Sequence, residues 1–207
     1  MKIFVDETEA PAGGATLGAA LDAARRVADE RGRIIVEVWA DGERIPDDDL
    51  ADPPTFEPYA DEIRMVTAAP EALVVSTLLD AADALEEVKA IQAAAARKMQ
   101  TGDTPEAMGA FGEALAVWEA VRRSVSEGCA LIGRSPGELL GAGGAGTLAE
   151  ASRALAADLT TLRDYTQAED WSSAADILEF DLGERADAWQ DILRRLASAV
   201  RSQEATA

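Results

Sequence analysis

Arg33-Ile34-Ile35-Val36-Glu37-Val38-Trp39-Ala40-Asp41-Gly42-Glu43-Arg44-Ile45 decides what the first third of this chain is. Residues 33–39 are rich in β-branched side chains and partly alternating, which predicts a strand. Asp41-Gly42 carries the backbone freedom that a two-residue hairpin turn demands, so residues 43–45 are expected to return as its partner strand. Upstream, Thr16 is placed to cap a helix that runs to Glu30, with Leu17, Ala20, Leu21, Ala24, Val27 and Ala28 on one face and Gly32 just past its end. Before that helix, Ile3-Phe4-Val5 has strand character. Downstream, Pro46, Pro53, Pro54 and Pro58 with Asp47-Asp48-Asp49 predict a loop across residues 47–60, and residues 62–67 alternate polar and apolar as a last strand does. The strands at 3–5 and 34–38 are expected to lie side by side and parallel, joined by a right-handed helical crossover.

A four-stranded sheet with one helix across it resembles the β-grasp (ubiquitin-like) arrangement. The resemblance covers residues 1–69, about a third of the chain. It implies the architecture and not conjugation, because the Gly-Gly tail of conjugated members has no counterpart in Ser202-Gln203-Glu204-Ala205-Thr206-Ala207.

The remainder reads as helix. Alanine is abundant and aromatics are only 5% of the 207 residues, a composition that favours helix because alanine costs least there. Val74, Leu78, Ala81, Leu85, Val88, Gln92, Ala95 and Met99 form one seam; Met108, Phe111, Leu115, Trp118, Val121 and Val125 form the next. Between them, Gly102-Asp103-Thr104-Pro105-Glu106 stops one helix and caps another. Thr147-Leu148-Ala149-Glu150 fits a capping box opening a third helix, with Leu155, Leu159 and Leu162 inward. The fourth carries Trp171, Ala175, Leu178, Leu182, Trp189, Leu193, Leu196 and Val200. The expected fold class is therefore α+β: a β-grasp-like α/β head at 1–69, then an all-α bundle at 70–204. That bundle would consist of two helical hairpins, 70–133 and 147–204, joined by a glycine-rich linker at 141–146. Gly112 and Gly183 each cost about 1 kcal/mol against alanine inside a helix, and close packing is the expected reason for them.

Residues 91–115 are similar to part of a tetratricopeptide repeat. Gly102-Asp103 falls at the turn, and Ala107, Phe111 and Ala114 at the small, aromatic and small positions. Glu119 stands where the repeat has proline, and no clear second copy follows, so a peptide-binding array is not implied.

Chemistry is narrowed mainly by absence. The chain has no histidine, so Ser-His and Cys-His nucleophiles and the usual Glu-x-x-His di-iron site of helical bundles cannot be built. Gly141-Ala142-Gly143-Gly144-Ala145-Gly146 satisfies G-x-G-x-x-G, but it lies within a helical half without the preceding strand that a dinucleotide site needs. The acids around Asp47-Asp48-Asp49 are out of register with a calcium loop, and Glu184, Asp187 and Asp191 read as a solvated helix face. Cys129 sits in an apolar helical setting that suits a buried thiol. No catalytic residue, metal ligand or cofactor is assigned.

A formal net charge of −20 disfavours direct DNA or RNA binding and adsorption to anionic lipid, and permits a basic protein partner, a nucleic-acid-mimicking role or a surface that is simply solvated. No run of about 18 apolar residues predicts a membrane span. With a lone cysteine and no leader-like start, a cytoplasmic location is expected. These features predict a non-catalytic interaction protein: an adaptor, scaffold or chaperone, with homo-oligomerisation left open. In size, charge and helix content it resembles the bacterial secretion and flagellar chaperones. The alternatives are an acidic nucleic-acid mimic that inhibits a basic protein, and an enzyme using carboxylate chemistry. Trp39, Phe56 and Tyr59 are the candidate partner-binding residues, while Trp118, Trp171 and Trp189 are expected in the bundle core.

Overall fold

The computed structural model describes residues 1–11, 14–141 and 144–204. The chain is α+β, with a five-stranded mixed sheet near its N-terminus followed by long helices. It divides into two compact units, Met1–Leu73 and Val74–Ala207.

In the first unit, β1 (Lys2–Val5) turns through Asp6 and Glu7, both at positive φ (49° and 65°), into β2 (Thr8–Glu9). This hairpin was not expected, because its turn has neither glycine nor asparagine. The Asp6 carboxylate instead anchors it from outside, accepting from the Thr67 backbone N–H at 2.8 Å and from the Thr67 hydroxyl. Helix α1 (Leu17–Glu30) begins where Thr16 Oγ1 accepts from the Ala19 N–H at 3.2 Å. Its buried face contains Leu17, Ala20, Leu21, Ala24 and Ala28, as the spacing predicted. Gly32 at φ +62° then releases the chain into β3 (Ile34–Ala40). Asp41 and Gly42, at φ 48° and 88°, make the predicted tight turn into β4 (Glu43–Arg44).

Two expectations fail here. Residues 47–60 are not loop throughout: Asp47–Ala51 forms α2, with Pro46 at its N-cap and the three aspartates in its first turn. Carboxylates at a helix start face the unpaired N–H groups and the positive end of the dipole, so the acid run favours a helical turn where a loop was expected. Nor do β1 and β3 pair with each other. β5 (Glu62–Ala68) lies between them, parallel to β1 (Ile3↔Ile63, Val5↔Met65) and antiparallel to β3 (Val38↔Met65). The order is β2-β1-β5-β3-β4, the β-grasp arrangement. Ile63, Met65 and Thr67 are buried and alternate with exposed Arg64 and Val66. A strand with so apolar a face gains most in the centre, where both backbone edges are also paired.

The second unit begins within α3 (Pro70–Gln100), which turns at Gly102 (φ +83°) into α4 (Thr104–Leu131). Lys98 and Glu106 clasp this turn at 2.5 Å. Close approach of the two helices centres on Gly128, where a Cβ would stand 3.3 Å from Val74 Cγ1. Gly112 and Gly183 have open space around them, so close packing does not explain either. A short helix, α5 (Pro136–Leu140), follows where only a stop was expected. Ser135 and Glu138 form its capping box, Ser135 Oγ accepting from Glu138 N–H while the Glu138 carboxylate accepts from Ser135 N–H at 2.6 Å.

Of the expected linker at 141–146, Ala142 and Gly143 lie outside the described residues. Helix α6 (Gly144–Gln167) begins at Gly144, three residues before Thr147. The last stretch is not one uninterrupted α-helix. It runs as α7 (Trp171–Asp176), a π-helical turn (Ile177–Asp181) and α8 (Leu182–Glu204). Leu178 and Leu182 are both fully buried across that turn, and apolar residues four apart suit an α or a π turn equally, so spacing hid the difference. One apolar core joins these helices, with Leu78, Leu85, Leu162, Leu178, Leu193 and Leu196 all buried within it.

Candidate functional site

The sheet of the first unit has one face under α1 and one face open. Val38 is buried on the helix side, so Trp39, the next residue, points the other way. Register places Phe4 opposite Arg64, Arg64 opposite Trp39, and Trp39 opposite Arg44. Cross-strand partners share a face, so these four side chains make a row across the open side. The Arg64 guanidinium lies over the Phe4 ring, 4.7 Å from its centroid, and is held there by Glu62 at 2.6 Å. Trp39 Nε1–H donates to the Glu37 carboxylate at 3.1 Å. On the same face Val66 is 43% exposed.

Of the three residues expected to bind a partner, only Trp39 lies in this row. Phe56 and Tyr59 stack on each other with centroids 5.3 Å apart, in the segment that follows α2. Their environments differ. Phe56 is 59% exposed, whereas Tyr59 is half-buried against the core beneath α1 and donates its hydroxyl to Asp49 Oδ2 at 3.4 Å. Burial, followed by the neighbouring Asp49 charge, raises the Tyr59 pKa. The structure thus splits the set into one residue on the open sheet face and a stacked pair on the helix side. Phe4, Arg64 and Val66 were missed as site residues. The alternation of residues 62–67 already put Arg64 and Val66 on an outward face, but strand order was needed to align them with Trp39.

A second feature of the head is a groove of about 340 Å³ between α1 and the edge of β3, bordered by Leu21 and Ala28 on one side and residues 34–38 on the other.

In the bundle, cavities of about 400 and 430 Å³ run along α4 and α6 and share Arg122 and Ser152. Trp118 lines one and Trp189 the other; their rings meet edge-on at 6.0 Å. Both tryptophans are buried in the core, as expected, and Trp171 is partly buried against it. The indole N–H groups of Trp118 and Trp189 and the amide of Gln92 meet no partner among the described residues.

Cys129 is buried, and burial raises its thiol pKa, the opposite of what an activated nucleophile requires. Asp187 is engaged by Lys89 at 2.7 Å, and hydrogen bonds from Lys89 to Asp187 and Glu86 raise the lysine's pKa. Among the described residues no group of three acidic or thiol side chains converges as metal donors would. The first unit holds the described strands, so the glycine-rich 141–146 segment follows α5 rather than a strand, and part of it lies outside the described residues. No described helix is long and apolar enough to cross a membrane.

Comparison with family models, with curated proteins and with solved structures finds no match to this chain.

Proposed function

We propose that this protein is a non-catalytic interaction module whose head presents the open face of its sheet to a partner protein. The observation that carries the reading is the row Phe4–Arg64–Trp39–Arg44, flanked by the exposed Val66. Tryptophan and arginine dominate the energetics of protein interfaces, because each offers a large contact area together with directional donors. Here they stand on a paired sheet, held by Glu62 and Glu37, so little side-chain freedom remains to be lost on binding. A net charge of −20 steers a basic partner toward the molecule and repels nucleic acid. The bundle supplies the larger core, and the adaptor or scaffold role assigns it to a second contact.

The test compares affinity purification from native lysate using the wild-type chain and a Trp39→Ala/Val66→Asp variant. Both positions are outside the head core, so circular dichroism should show the variant folded. Basic proteins recovered with wild type and lost with the variant are the expected result. An identical set of captured proteins, or none above background with either chain, overturns the reading.

A further inference from the structure

We infer that an extended segment of the partner pairs with the outer edge of β3 and lays its side chains into the groove between β3 and α1. This rests on the protein-interaction reading and names the kind of segment recognised.

Along one edge β3 is paired with β5 from Ile34 to Ala40. Along the other, β4 takes only Trp39 and Ala40, and Ile45 N–H adds one bond to the Val38 carbonyl at 3.0 Å. Residues 34–37 therefore have no strand partner on that side among the described residues. This open stretch spans about 13 Å at strand rise. Its sequence, Ile-Ile-Val-Glu, contains neither the lysine nor the proline that commonly guards an exposed edge. A bulge between Ile35 and Glu37 twists it locally, and with the exposed Glu37 it is what guards this edge.

Beside the edge lies a cavity rather than a covering element. Leu21 and Ala28 of α1, Leu50 of α2 and Ile35, Val36 and Val38 of β3 give it an apolar lining. The charges around it are balanced, Arg25, Arg33 and Arg44 against Asp29, Glu37 and Asp47. Net charge at the groove therefore does not choose the occupant. A small apolar molecule would fill the groove and leave the edge's N–H and C=O groups without protein partners. Another backbone offers alternating donors and acceptors at the same repeat, with every second side chain turned into the groove. The occupant is thus a short peptide strand with apolar residues at alternate positions.

The probe is a library of random linear dodecapeptides displayed on phage, panned against the full chain. Enriched peptides should alternate apolar and polar residues. N-methylation, walked one residue at a time along a synthetic copy, should weaken binding about tenfold at every second position and little between, because only alternate N–H groups face β3. Ile34→Lys should weaken the same peptides about tenfold, and Trp39→Ala should leave them unchanged. That last arm separates this proposal from the open-face reading, which stands or falls on Trp39. The methylation walk alters only the peptide, so it holds even if Ile34→Lys misfolds. Failure to enrich any peptide, or methylation sensitivity without a two-residue period, overturns the inference. So does a concentration-dependent dimer abolished by Ile34→Lys, which would make a second copy the occupant.

Discussion

Alanine substitution of the helix glycines separates the two reasons a helix carries one. At Gly112 and Gly183 an added Cβ would find nothing within 4 Å. Both sit inside helical segments, Gly112 in α4 and Gly183 just after the π turn. Alanine there gains helix propensity without a steric cost, about 0.8–1.0 kcal/mol at each position. The double variant Gly112→Ala/Gly183→Ala should therefore stabilise the bundle by about 2 kcal/mol. With a urea m-value of about 2 kcal/mol/M, its midpoint rises by about 1 M. Gly128 differs. Its Cβ would lie 3.3 Å from Val74 Cγ1 and 3.6 Å from Cγ2, and Val74 is 1% exposed. A helical valine is nearly confined to one rotamer, so Val74 cannot turn aside. Overpacking of about 1–3 kcal/mol then outweighs the propensity gain, and Gly128→Ala should destabilise by about 1 kcal/mol net, lowering the midpoint by about 0.5 M. Far-UV circular dichroism in urea measures all three chains. In a Val74→Ala background, Gly128→Ala should raise the midpoint relative to Val74→Ala alone, since the contact is what opposes the propensity gain. If Gly128→Ala raises the midpoint as much as Gly112→Ala does, the close approach of α3 and α4 is not what that glycine serves, and the reasoning fails.

Other expectations address the cores and their charges. Trp189→Ala removes a ring that is 2% exposed and meets Trp118 edge-on; it should cost about 3–5 kcal/mol and collapse the near-ultraviolet dichroism of the pair. Unchanged stability would place Trp189 outside the core. For Asp6, burial by itself raises the carboxyl pKa, but the Thr67 hydrogen bonds with the Arg33 and Arg31 charges outweigh it and hold the group below its usual value. A depressed carboxylate stabilises the fold above its unfolded pKa and loses that contribution as pH falls through its folded one. Acid titration of the head should show stability declining below about pH 4, and Asp6→Asn should be less stable at neutral pH with a flatter acid limb; equal acid limbs would remove Asp6 from the account. Cys129, buried and with a raised pKa, should react with a maleimide far more slowly in the native chain than in urea, and equal rates would contradict its burial.

Much of the fold was legible because local chemistry specified it. Thr16 before an apolar periodic run and Asp41-Gly42 after a β-branched one act through neighbours within four residues, and such signals survive being read in one dimension. At the first hairpin a distant group overruled the local signal. Asp6-Glu7 lacks turn residues of its own and depends on Thr67, sixty residues away. The aspartates at 47–49 looked like loop because their charge was read as solvation rather than as a complement to a helix start. Phe56 and Tyr59 looked alike in sequence and separated in space, one exposed and one against the core.

By itself, the sequence determined the long helices, the α+β class, the seam of α3 and the absence of imidazole chemistry. These depend on residue type, spacing and caps. In α4, Ala107 and Ala114 are buried while Met108 and Leu115, expected in its seam, are exposed. Tertiary structure alone decided that β5 enters between β1 and β3. Strand pairing is a competition among backbone edges that no single strand's sequence records, and β5, with Ile63, Met65 and Thr67 buried on one face, took the central place. From that one insertion follow the alignment of Arg64 between Phe4 and Trp39 and the position of β3 toward the sheet's margin with part of its outer edge unpaired.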